Sequence, residues 1–150
     1  MSTLRVDTIA NTAGVTSNRV LQVVTLEQSV YTSSAASTNV ALWNFSISNV
    51  TAGSSIHGNL SISKLDSAAG SQQWFIKNAA GTIVGEMRTQ TAGNASWRMP
   101  QTSISFKDTS PLVGTNTYYL SITSDVHIYH GYPTTYGYGI STVQLMEVAG

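Results

Sequence analysis

Apolar side chains in this chain recur at every second position over short stretches, and no segment of ten or more residues carries helical spacing with caps at its ends. The clearest stretch is ALWNFSISNV, where Trp43, Phe45 and Ile47 point one way and Asn44, Ser46 and Ser48 the other. This period of two marks a strand with one wet face. The pattern returns over Ile56 to Lys64 with Leu60 and Ile62 inward, and over Gln73 to Lys77 with Trp74 and Ile76 inward. Ala-Ala-Gly-Thr after Asn78 reads as a hairpin turn leading into a strand over Ile83 to Arg88. Val20 to Leu26 is a β-branched run suited to a buried strand, whereas the polar residues 28–39 read as a loop or edge segment.

Further strands are expected over Ala95 to Met99, Ser103 to Lys107, Thr117 to Thr123, Val126 to Tyr129 and Ile140 to Val148. In the last of these Val143, Leu145 and Met146 are read as inward-facing. Eight to ten short strands separated by Gly, Ser, Thr and Asn predict an all-β protein, an antiparallel β-sandwich of jelly-roll type. Two parts are expected: an extended N-terminal arm over 1–19 and the sandwich over 20–150. The arm's apolar positions are too sparse for a core, but Leu4, Val6 and Ile9 can line one face of a strand laid on a partner.

Composition sharpens this picture. Charged residues make up only 9% of the chain, while 21 Ser and 19 Thr put a hydroxyl on 40 of its 150 residues. Such residues belong on wet strand faces and in turns. Seven basic residues balance seven acidic ones with no basic stripe, which argues against nucleic acid as a partner. A net charge of zero favours self-association. Cysteine is absent, so robustness is expected from packing or from assembly. No signal-type segment and no apolar run near the roughly 18 residues of a membrane span are seen, so no membrane insertion is expected. The sequons at Asn44, Asn49, Asn59 and Asn94 follow from nine Asn in a Ser/Thr-rich chain.

The candidate chemistry is thin. The carboxylates are scattered singly, and no nucleophile elbow, zinc-protease motif or phosphate loop occurs. A glycan-cleaving enzyme would have to bring two carboxylates together, for instance Asp66 with Glu86. His127 and His130, three apart on a strand, face opposite sides and lack a third ligand, so neither a metal nor a cofactor is expected. Six of the seven tyrosines fall within 118–150, and HIYHGYPTTYGYG concentrates them. There Tyr132, Tyr136 and Tyr138, with His130, form a candidate receptor-binding set, because tyrosine offers a rigid apolar plate with a hydroxyl handle. The alternative is that these rings pack within the fold or at a subunit axis.

DTSPLVGTNTYYLSI, followed by GISTVQLMEVAG, resembles a recurring tail-fibre-type domain of bacteriophages, and MSTLRVDTI resembles the start of phage virion fibre proteins. The residues that carry the likeness are Asp108, Ser110, Pro111, Thr117 and Tyr118, then Ser141, Thr142, Leu145, Met146 and Glu147. The chain departs from the pattern in Thr109, inserted between Asp108 and Ser110, and in its aromatic segment. The resemblance implies a homotrimeric jelly-roll head, similar in build to the tumour-necrosis-factor-like trimers. Such a head is made in the host cytoplasm and carried on the surface of the virion. It implies attachment to phage capsid or tail proteins through the arm, and a host-surface glycan or protein as the target of the head. Two further readings stand beside it: a capsid cement protein without receptor binding, and, remotely, a glycan-depolymerising enzyme.

Overall fold

In a computed structural model the described residues are 3–5, 19–28, 32–34, 40–62, 65–67, 70–91, 97–99, 102–122, 126–128 and 140–150. Among them every regular element is a strand, and all pairings are antiparallel. Eight strands are long: β2 (Val20–Gln28), β4 (Val40–Val50), β5 (Ser55–Ile62), β7 (Gly70–Asn78), β8 (Ile83–Thr91), β10 (Thr102–Asp108), β11 (Gly114–Ile122) and β13 (Ser141–Val148). Five are of three residues: β1 (Thr3–Arg5), β3 (Thr32–Ser34), β6 (Leu65–Ser67), β9 (Trp97–Met99) and β12 (Val126–Ile128). β9 and β12 fall within the strands expected over Ala95 to Met99 and Val126 to Tyr129, and β1, β3 and β6 account for the excess over the eight to ten strands expected, since three residues are too few to show an alternation.

The long strands form a β-sandwich. One sheet has the order β1-β2-β13-β5-β10 and the other β4-β11-β7-β8. Their inner faces meet in a core that contains Trp43, Phe45, Ile47, Ile56, Leu60, Ile62, Trp74, Ile76, Ile104, Phe106, Tyr118, Leu120, Val143 and Leu145. The inward positions expected in the stretches around Trp43, Leu60 and Trp74 are all buried. Phe106 of the first sheet joins the two faces, its ring 6.1 Å from Phe45 and 5.1 Å from Tyr118. It has room because Gly58, its register partner on β5, and Gly85 on β8 carry no side chain. A Cβ built on Gly58 would lie 2.0 Å from the ring, and one on Gly85 2.5 Å from the Phe106 Cβ.

Two irregularities re-phase the alternation. In β4, Asn49 takes the left-handed φ of 59° opposite a register shift between Gly114 and Asn116, so burial steps from Ile47 to Val50. In β13 burial runs Ser141, Val143, Leu145, Glu147, and a shift between Glu147 and Val148 then buries Val148 as well. Met146 is therefore half-buried on the outer face rather than inward, and the inward residue at this end of the strand is a glutamate.

The four remaining short strands make a third sheet, β3-β12-β6-β9. It prolongs two ladders of the sandwich: Ile62 faces Thr102, and Leu65 resumes the same register opposite Met99. Likewise Ile122 faces Val40, and beyond it Val126 faces Ser34. Because β12 also pairs with β6, main-chain bonds link strands that continue both sheets at this pole. The opposite pole carries Arg19, Ala149, Gly150 and the turns after β4, β7 and β10, with the Ala149 N–H donating to the Arg19 carbonyl at 2.8 Å.

Candidate recognition surface

The turns at the terminal pole are rigid for reasons that can be traced residue by residue. After β10, Asp108 accepts the Ser110 N–H at 3.0 Å through Oδ1 and the Tyr118 hydroxyl at 3.1 Å through Oδ2. Four residues from Leu112, Asn116 grips that residue's main chain from both sides. Its Oδ1 accepts the Leu112 N–H at 2.8 Å and its Nδ2 donates to the Leu112 carbonyl at 2.7 Å. Gly114, with φ of 99°, supplies the left-handed step that closes the loop. The resemblance motif of Asp108, Ser110, Pro111 and Tyr118 is thus a clasp that fixes the β10–β11 loop.

That clasp holds two apolar side chains in water. Leu112 is 68% and Val113 70% exposed. Facing them is the β7–β8 turn, where Asn78 Oδ1 accepts from the N–H groups of Ala80 and Thr82 at 3.1 and 2.9 Å and Ile83 stands 49% exposed. Between the two turns lies a cleft of about 480 Å³ walled by Ile83, Leu112, Lys107, Thr109, Ser110 and Asn116 among others. Its apolar lips, hydroxyls and single lysine suit binding. The carboxylate in its wall, Asp108, is turned into the clasp.

Burial raises the Tyr118 pKa most, and the neighbouring Asp108 charge and hydrogen bond raise it further, so its hydroxyl stays protonated as a donor. Tyr118→Phe removes that donor from a buried acceptor while leaving the ring stack on Phe45 and Phe106 in place. The expected cost is about 1–2 kcal/mol, read by urea denaturation, together with faster proteolysis of the Thr109–Val113 loop. A stability and cleavage rate equal to wild type would show that the clasp does not hold the loop.

A second clasp closes the same pole from the last strand. Glu147 is only 1% exposed. Its Oε1 accepts the Thr51 N–H at 2.8 Å, the Thr51 hydroxyl at 2.6 Å and the Ser54 hydroxyl at 2.8 Å, and its Oε2 accepts Gln22 Nε2 at 2.7 Å. Gln22 Nε2 also donates to the Ser48 carbonyl at 2.8 Å, so the carboxylate ties β2 and β13 to the β4–β5 turn. Burial pushes its pKa up, but donors from Thr51, Gln22 and Ser54 outweigh it and hold the carboxyl below its ordinary value. Sequence reading placed Glu147 in a family motif without a role. The available signal was a charged residue at core parity in an apolar strand, matched by Gln22 at core parity in VLQVV.

The remaining candidates fall as follows. Leu4 lies in β1 opposite Val23 of the chain's own β2, while Val6 and Ile9 lie outside the described residues. Tyr132, Tyr136, Tyr138 and His130 also lie outside them, in the stretch between Ile128 and Ile140. Asp66 sits in β6 opposite Arg98 and His127, whereas Glu86 is on β8 of a different sheet, paired with Arg88 at 2.9 Å. His57, half-buried on β5, has Nε2 3.2 Å from the Ser55 hydroxyl. Among the described residues no three His, Cys, Asp or Glu gather where they could hold a metal ion. No protein-family model matches the chain, and no curated protein matches it.

Proposed function

We propose that this chain is a structural protein of a bacteriophage virion, a homotrimeric short spike or decoration module. It is anchored by its N-terminal arm and presents a β-sandwich head to a host-surface glycan or protein. The observation that carries the reading is the polarity of the molecule. The arm joins the head at Arg19, beside the C-terminus, whereas the Tyr- and His-rich stretch departs from Ile128 in the third sheet at the other pole. The points where these two segments leave the described head thus lie at opposite ends. Numbered along the chain, the eight long strands have the orders 1-8-3-6 and 2-7-4-5, which supports the jelly-roll reading of the sandwich and with it the sequence resemblance. The likeness of fold is an analogy; the proposal rests on where the arm and the aromatic segment leave the head, at Arg19 and Ile128.

Leu112 and Val113 favour the cement reading as a second one. They stand exposed at the arm's pole, where a shell would meet them, and contacts made there need no receptor.

Deleting residues 1–12 tests the proposal. The head is expected to keep its far-ultraviolet circular dichroism and unfolding midpoint, while incorporation into virions, measured by immunoblot of purified particles, is lost. Incorporation at the wild-type level would overturn it.

A further inference from the structure

The arm's one described strand is paired with the head of its own chain. Leu4 faces Val23, with Thr3 opposite Val24 and Arg5 opposite Gln22, at the edge of the five-stranded sheet. The connection that allows this is far longer than the pairing needs. Antiparallel neighbours are ordinarily joined by about 2–5 residues, but here residues 6–19 intervene between β1 and β2. Most of them, ANTAGVTSN, are small or polar residues. Fully extended, such a connection reaches roughly 45 Å, more than enough to place β1 on a neighbouring molecule.

We propose that β1 is an exchangeable strand and that the free edge of β2 is the acceptor for β1 of a second copy of this chain. Exchange makes the same main-chain bonds as self-pairing, so it costs no contacts, and the choice between the two is set by how close the next β2 edge lies. A strand of three residues is held by few bonds and leaves easily. In an assembly the neighbour's edge is present at high effective concentration, and each arm that leaves its own head is replaced by another. No edge is left bare by the exchange. On the receiving side, in register beyond Leu4 run Val23, Met146 and His57, all half-buried on the outer face of the sheet, and beyond Arg5 run Gln22 and Glu147. The proposal rests on the reading of this protein as an oligomer and names what links its copies.

The chain contains no cysteine, so a Leu4→Cys/Val23→Cys variant carries a single possible disulfide pair. Cα atoms directly opposite in an antiparallel ladder lie about 4.5–5.5 Å apart, within disulfide range. The oligomer is isolated, its mass is measured by light scattering against the 16.0 kDa chain, and it is then oxidised and run on a non-reducing gel. Exchange predicts that most of the chain runs as covalent multimers, collapsing to one chain on reduction. A photo-crosslinking residue at position 4, with Val23 intact, gives the same readout without the second substitution. Deleting residues 8–17 leaves Val6, Asp7, Asn18 and Arg19 as a four-residue hairpin connection, and is expected to abolish the interchain product. An oligomer that yields only intrachain links overturns strand exchange and leaves the oligomer reading intact. A monomer with intrachain links overturns both.

Discussion

Glu147→Ala is expected to lower the unfolding free energy by about 3–4 kcal/mol, because four donors lose a charged acceptor and the more buried ones find no water in its place. Gln22 and Ser54 are buried, so their polar groups bear most of the loss, whereas Thr51 is exposed and is resolvated. The effect depends on pH with a definite sign. The folded-state pKa of Glu147 lies below its unfolded one, so the carboxylate's contribution is complete above about pH 4.3, the ordinary value, and is lost as pH falls through the folded pKa. Urea denaturation of wild type and variant should therefore show a full difference at neutral pH that narrows in acid. A difference that stays constant down to the acid transition would mean that the carboxylate's charge plays no part.

The second large effect centres on Phe106. Phe106→Ala empties the joint between the sheets and is expected to cost about 3–5 kcal/mol. Gly58→Ala, on a strand backbone that accepts alanine, pushes a methyl into the same ring and is expected to cost about 1–3 kcal/mol. The two costs should not add. The three atoms nearest a Gly58 methyl all belong to the Phe106 ring, so with the ring gone the methyl can fill part of the cavity, and the double variant is expected to be no less stable than Phe106→Ala alone. A double-mutant cycle by chemical denaturation measures this coupling. Additive costs would place the two residues out of contact.

Legibility from sequence followed strand length and solvent contrast. The strand containing Trp43, Phe45 and Ile47 was readable because one face is wet and the other dry over many residues, and the same held around Leu60 and Trp74. The step from Ile47 to Val50 was not readable. It depends on Asn49 adopting a left-handed conformation against a partner strand far away in sequence. Met146 was misplaced because hydropathy favours a methionine over the neighbouring glutamate for the inside. Strict alternation together with four converging donors decides otherwise. Of the third sheet, β9 and β12 were legible as strands, while β3 and β6 were not because three residues show no period, and the pairing of all four is set by ladders begun elsewhere. Of the surface features, the rigid loop was legible only as a motif. Nothing local shows that Asn116 would grip Leu112 or that Leu112 and Val113 would stand in water. The aromatic segment announced itself by composition, and among the described residues only its neighbours Ile128 and Ile140 are placed.

The continuation of two ladders into the third sheet bears on how the head carries load. Bonds in an antiparallel ladder run perpendicular to the strands. A pull between the arm at one pole and Ile128 at the other runs along the strands and strains many of these bonds at once, in shear. A pull between Arg19 and Ala149, on neighbouring strands at the same pole, opens the β2–β13 ladder one bond at a time. The described head is consequently built to resist a lengthwise pull between Arg19 and Ile128, and to unzip under a small force that parts Arg19 from Ala149.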